Sequence, residues 1–137
     1  MSIQVGWYIP NKVNYMKVNG KVSDKTFIEA ANFRADLANS SSEETVHLIV
    51  DASESEFNIN ISAYNDFKLP DNNGWTIVVG NYNRVARFAG TVVMQLVKQE
   101  LRFVDSIDEA MATLVKVDAS VTDYAGTEEI TIGKEFN

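Results

Sequence analysis

The feature that most constrains the fold is an almost continuous apolar run from Thr45 to Ala52, interrupted only by His47. Asp51 comes at the end of this run, before a loop rich in serine and glutamate. Short aliphatic runs of this kind are typical of a strand that helices bury on both faces, as in parallel sheets. We therefore place the segment as the central strand of an α/β domain.

Four other segments have the composition of strands, with β-branched and aromatic residues and nearby turn signals. The predicted strands are Ile3–Ile9, Val13–Val18, Trp75–Gly80 and Glu100–Val104. Pro10 begins a tight turn between the first two, which indicates a β-hairpin.

Four segments repeat apolar residues at helical spacing. The predicted helices are Asp24–Asn39, Ile61–Leu69, Arg84–Lys98 and Ser106 to about Val117. In the first, Phe27, Ala30, Phe33 and Leu37 form the apolar side, with Arg34 at its margin. Ser23 or Asp24 is a suitable N-cap for it, and Ser106 with Glu109 has the spacing of a capping box. In the last helix, Ile107, Ala110, Met111 and Leu114 form the side predicted to be buried.

These elements predict an α/β fold with a mixed, mostly parallel sheet of about five strands and four helices. We assign residues 1–117 to the domain and residues 118–137 to an acidic C-terminal arm. The arm alternates polar and apolar residues around Ile130 and is compatible with an edge strand, a swapped arm or a loose tail.

Composition excludes several classes of function for this chain of 137 residues. It has no cysteine and one histidine, so we expect no thiol chemistry, no metal site and no cofactor. A net charge of −7 disfavours nucleic acid and anionic membranes as partners. No signal peptide or membrane span is recognisable, so a cytoplasmic location is expected.

One constellation of polar residues is a candidate binding site. Asp51 and Asn81 follow neighbouring predicted strands, and the carboxyl ends of parallel strands are where ligands of α/β sheets bind. The remaining members are Ser53, Arg84 and Arg87, and the arginines open a helix where an anion is favoured. The alternative is that Asp51 caps a loop while the arginines are solvated or pair with nearby glutamates.

The helix predicted for Arg84–Lys98 is apolar nearly all round. Gly90, Met94 and Val97 would then form an apolar strip that a protein partner or a second copy of the chain covers. The alternative is that the C-terminal arm covers this strip within one chain. His47, by contrast, has no catalytic partner nearby in sequence and is expected to be a structural residue.

Two local sequences resemble the STAS-like domains, the family of the sporulation anti-sigma-factor antagonists. Val46–Asp51 resembles the hydrophobic central strand that ends in aspartate, and Arg102–Ala110 resembles the final strand and helix of the family. The resemblance covers about Val5 to Val115. It implies a non-enzymatic regulatory or protein-interaction module, and the residue nearest the family's phosphorylated serine is Ser62. Together with the apolar strip, this predicts a homodimer, while a small-ligand binding domain is the alternative and an enzyme the third choice.

Overall fold

The computed structural model describes residues 1–56, 68–80, 100–124 and 126–137, which form one six-stranded sheet with helices on both faces. The strands are β1 (Ser2–Ile9), β2 (Val13–Gly20), β3 (Val46–Ser55), β4 (Asn73–Val79), β5 (Leu101–Val104) and β6 (Thr131–Phe136). The helices are α1 (Asp24–Asn39), α2 (Ile107–Val117) and a 3₁₀ helix (Ala119–Tyr124).

The sheet is mixed, with the order β5-β4-β3-β2-β1-β6. β1 and β2 form an antiparallel hairpin, and β2, β3, β4 and β5 are parallel to one another. These pairings confirm the predicted α/β class, hairpin and mostly parallel sheet. The prediction of about five strands was wrong, because β6 adds a sixth beside β1.

β6 shows that residues 131–136 are paired with β1 as an edge strand and are not a loose tail. Gly6 of β1 makes this pairing possible, because a Cβ atom there would lie 1.8 Å from the carbonyl oxygen of Thr131. Glycine permits this close approach of two backbones, and any side chain would forbid it. The amphipathic pattern near Ile130 indicated a strand, but only the partner glycine specifies where it pairs.

Two apolar clusters pack on opposite faces of the sheet. Met16 and Val18 of β2 contact Phe27 and Ala30 of α1 in one cluster. The alternate residues of β2 lie in the second cluster, together with Ala110 and Leu114 of α2. The period-2 alternation of a strand therefore assigns α1 to one face and α2 to the other.

The helix N-caps agree with the sequence predictions. Ser23 accepts a hydrogen bond from the amide of Thr26, and Ser106 accepts one from the amide of Glu109. Glu109 in turn accepts from the amide of Asp105 at 2.8 Å, which stabilises the first turn of α2. Ala110 and Leu114 are fully buried, as predicted for the inner side of this helix.

Two details of the sequence analysis were wrong. β3 continues through Ser55, so that Asp51 lies within the strand, because β2 extends far enough to pair with residues 54 and 55. Arg34 is not at a margin of α1 but is only 3% exposed, because it reaches acceptors on the sheet.

Two of the four predicted helices cannot be compared with the structure. The helix predicted for Arg84–Lys98, and residues 61–67 of the one predicted for Ile61–Leu69, lie outside the described residues. Within the described ranges, no helix has the length and apolar character needed to cross a bilayer.

Candidate functional site

Asp51 lies in a fixed hydrogen-bond arrangement on the α2 face of the sheet. Its Oδ2 accepts a hydrogen bond from the Tyr15 hydroxyl at 3.1 Å. Its Oδ1 accepts from the Ser53 amide at 3.2 Å and from the Ser53 hydroxyl at 2.6 Å. The carboxylate is thus held by one neighbouring strand and by its own strand, which fixes its orientation.

The position of this group in the sheet is that of a ligand site in an α/β protein. Asp51 is in register with Val79, the last residue of β4, and Val79 is in register with Val104, the last residue of β5. The group therefore lies level with the carboxyl ends of two parallel strands, where α/β proteins bind ligands. Tyr8 of β1 is a further member of this group of side chains, and its ring centroid lies 6.0 Å from that of Tyr15. We call Tyr8, Tyr15, Asp51 and Ser53 the Asp51 rim.

The electrostatics of the rim keep both phenols protonated at neutral pH. Burial raises the pKa of Tyr15, and the adjacent charge and hydrogen bond of Asp51 raise it further. Burial also raises the pKa of Tyr8, with smaller contributions from Glu128 and Asp108. Tyr15 is only 5% exposed, and its hydroxyl is bound to Asp51. The accessible part of the rim is therefore formed by Tyr8, Asp51 and Ser53, whose polar atoms suit hydrogen bonding.

The structure brings together two residues of the predicted binding constellation, Asp51 and Ser53. The other members of that set lie outside the described residues, and so do the predicted interface residues and the serine implied by the family resemblance. These residues are Asn81, Arg84 and Arg87 of the site, Gly90, Met94 and Val97 of the interface, and Ser62.

A second polar cluster is buried on the same face of the sheet, at the opposite ends of the parallel strands. His47 donates from Nε2 to Asp118 Oδ2 at 2.7 Å, and its Nδ1 accepts from the amide of Trp75 at 2.9 Å. Lys12 Nζ lies 3.2 Å from the same carboxylate oxygen. Ser120 donates to Asp118 Oδ1 through both its amide and its hydroxyl.

The His47 cluster contains residue types that occur in catalytic sites, but both ring nitrogens of His47 already have hydrogen-bond partners. Burial lowers the pKa of His47, although its hydrogen bond with Asp118 opposes the shift. Burial alone would raise the pKa of Asp118, but hydrogen bonds from Ser120, His47 and Lys12 outweigh it and hold this pKa far below its usual range. Because both ring nitrogens of His47 are occupied, neither can take a proton from a substrate in this arrangement. His47 is therefore a packed structural residue, as the sequence predicted.

A third polar group lies on the α1 face, where Arg34 is buried among neutral acceptors. Its guanidinium donates to Asn14 Oδ1 and Asn73 Oδ1, both at 2.7 Å, and to the carbonyl of Val46 at 3.2 Å. These acceptors belong to β2, β4 and β3, so one side chain joins α1 to three strands. Burial lowers the pKa of Arg34. The planar guanidinium, with its five donors, suits this bridging role.

Sequence reasoning missed Lys12, Asp118 and Arg34 as members of polar clusters. For Arg34, a signal was present, since it lies three and four residues from the apolar Ala31 and Ala30 on the same side of the helix. For Asp118, the Asp-x-Ser spacing to Ser120 indicated a local turn but not the contact with His47. That contact joins residues 71 positions apart and has no local signature.

The described residues contain no group of three or more histidine, cysteine, aspartate or glutamate side chains arranged to hold a metal ion. Comparisons of the chain with protein-family models and with curated proteins found no match.

Proposed function

We propose that this chain is a non-enzymatic regulatory or protein-interaction module of the STAS-like type, which acts in the cytoplasm and self-associates. The observation that carries the proposal is the Asp51 rim, where Tyr15 and Ser53 hold a carboxylate level with the carboxyl ends of β4 and β5. Tyrosine is enriched in protein interfaces because it joins a large apolar ring to a polar hydroxyl. The rim is thus suited to recognition.

The chemistry of the rim supports binding more than catalysis. The Ser53 hydroxyl donates to Asp51, but a serine becomes a good nucleophile when a base with a pKa near the working pH takes its proton. In nucleophilic serines that base is most often a histidine. The buried His47 lies in the other polar cluster, with its ring nitrogens bonded to Asp118 and Trp75.

The order of the elements supports the STAS-like part of the proposal. A β-hairpin is followed by α1 and then by parallel strands, and the chain reaches α2 directly after β5. This is the order that the resemblance of Val46–Asp51 and Arg102–Ala110 implies.

Native mass spectrometry of the freshly purified chain tests self-association and ligand binding together. We expect a dimer without added mass. We also expect Met94→Lys, in the helix predicted from sequence, to raise the dimer dissociation constant at least about tenfold. Val115→Lys is the matched control, because Val115 is an apolar residue of α2 that is already 39% exposed. A monomer at all concentrations tested would contradict the self-association.

A small-ligand binding domain is the second candidate, and the mixed donors and acceptors of the rim favour it. The half-buried phenol of Tyr8, together with Asp51 and Ser53, offers hydrogen-bonding groups to a small polar molecule. A discrete additional mass in the same spectrum, lost in Asp51→Asn and in the double variant Arg84→Ala with Arg87→Ala, would favour this candidate over the interaction module.

A further inference from the structure

β1 has the burial of an interior strand, although it would be an edge strand without β6. Ile3 and Val5 are both 0% exposed, and they are in register with Phe136 and Lys134 of β6. An exposed strand edge leaves unpaired amides and carbonyls. β1 therefore requires a neighbouring strand, but nothing in its pairing requires that strand to come from the same chain.

The side chains of β6 contribute little to the core of their own chain. Phe136 is the one buried residue of the strand, and its ring centroid lies 5.7 Å from that of Phe33 in an edge-to-face arrangement. The other attachments are the backbone ladder with β1, the Lys134 ammonium 6.0 Å from the centroid of the Phe33 ring, and a hydrogen bond of 3.4 Å from the Thr26 hydroxyl to the Asn137 carbonyl. All of these contacts are reproduced if the strand comes from a second, identical chain.

The segment before β6 has the properties of a hinge. Residues 126–130, which we call the connector, are all exposed. Gly126 has a φ of 85°, a conformation that glycine adopts without strain, and the amide of Glu129 donates to the carbonyl of Tyr8. Extending the connector therefore exposes no additional apolar core.

Two isoleucines, one in the connector and one in β6, are exposed. Ile130 is 53% exposed and Ile132 is 40% exposed. If two extended connectors lie antiparallel about a twofold axis at Thr131, Ile130 of one chain is opposite Ile132 of the other, on the same face. The pair is thus self-complementary, as an interface between identical chains must be.

We propose that β6 is exchanged between two copies of this chain, so that each sheet receives its sixth strand from the other copy. This inference rests on the proposed self-association, and it identifies β6 as an element through which the two copies associate. The hydrogen bonds of β6 are equal in number in the two arrangements, and the facing isoleucines add apolar burial that the separate monomer lacks.

Engineered cysteines test the exchange cleanly, because the chain has no cysteine of its own. Gln4 and Glu135 are directly opposite across β1 and β6, at a separation suited to a disulfide. Chains carrying Gln4→Cys and chains carrying Glu135→Cys are refolded together and oxidised. We expect a disulfide-linked heterodimer on a non-reducing gel. The control replaces the second variant with Glu44→Cys, an exposed position outside β6, and we expect at least about tenfold less of the heterodimer.

The double variant with both cysteines in one chain separates the possible outcomes. Exchange gives a covalent dimer, whereas pairing within one chain gives an oxidised monomer. A noncovalent dimer in native mass spectrometry together with an oxidised monomer would overturn the exchange and leave self-association standing. A monomer in both measurements would overturn both the exchange and the self-association.

Within an exchanged dimer, Ile130→Ser with Ile132→Ser should raise the dissociation constant at least about tenfold.

Discussion

His47 and Asp118 are joined by a hydrogen bond of 2.7 Å, although they are 71 positions apart in the chain. His47 belongs to β3, in the middle of the sheet, and Asp118 is the C-cap of α2. Lys12 binds the same carboxylate oxygen from the turn between β1 and β2. This contact thus connects the central strand, the hairpin turn and the end of α2, and it makes stability depend on pH.

We expect the free energy of unfolding to decrease as the pH is lowered from about 8 to about 5. Burial lowers the pKa of His47 in the folded chain below its ordinary value of 6.5. At a pH between the lowered pKa of the folded chain and 6.5, His47 binds a proton in the unfolded chain but not in the folded chain. The stabilisation is therefore complete above pH 6.5 and decreases below it, with a slope approaching about 1.4 kcal/mol per pH unit.

Urea unfolding at several pH values measures this slope. In His47→Asn, which has no titrating ring, the slope between about pH 8 and about pH 5 should be smaller. Asp118 contributes in the same direction at lower pH, because its depressed pKa makes its contribution disappear as the carboxylate is protonated. A free energy of unfolding in the wild type that does not change over this interval would contradict the buried, neutral state of His47.

Arg34→Lys should destabilise the fold by about 2 kcal/mol or more. A single ammonium cannot reach the three acceptors that the guanidinium binds, and each buried acceptor left without a donor costs about 1–3 kcal/mol. Chemical unfolding measures the loss. Arg102→Lys is the matched control, because Arg102 is exposed and only stacks over Trp75 at 5.0 Å. Equal effects of the two substitutions would show that the burial of Arg34 is unimportant.

Gly6→Ala should displace β6 from the edge of the sheet. The added Cβ would lie 1.8 Å from the Thr131 carbonyl oxygen, so the two backbones must separate, at a cost of about 1–3 kcal/mol. Hydrogen exchange should show faster exchange of the β6 amides. Gly133→Ala provides the comparison within the same strand pair, because its Cβ would meet its nearest atom at 3.4 Å. Unchanged β6 protection in Gly6→Ala would contradict the observed register.

Tyr15 should ionise at a higher pH than an ordinary tyrosine, whose pKa is 10.0. Burial and the charge of Asp51 both disfavour the phenolate. An ultraviolet titration of the five tyrosines should therefore lose a step above pH 10 in Tyr15→Phe. Asp51→Asn should move that step towards lower pH. If Asp51→Asn leaves the titration unchanged, the carboxylate does not act on Tyr15 as the geometry indicates.

The sequence determined those features that depend on local spacing. The aliphatic run around Ile49 specified a buried strand, because no polar position interrupts it except His47. Ser106 specified where α2 begins, and either Ser23 or Asp24 specified the start of α1, because a helix N-terminus needs a nearby acceptor for its free amides. The structure selects Ser23. The hairpin followed from two alternating runs on either side of Pro10. Each of these depends on residues a few positions apart.

Only the tertiary structure decided how distant segments meet. The arm pattern near Ile130 was compatible with three arrangements, and the pairing beside Gly6 excludes the loose tail. The groups that hold His47 and Arg34 lie far along the chain from them: Asp118 is 71 positions from His47, and Asn73 is 39 positions from Arg34. Local periodicity records which face of an element is apolar, but not which partner covers it. That choice is made when the whole sheet assembles and its buried polar groups find their partners.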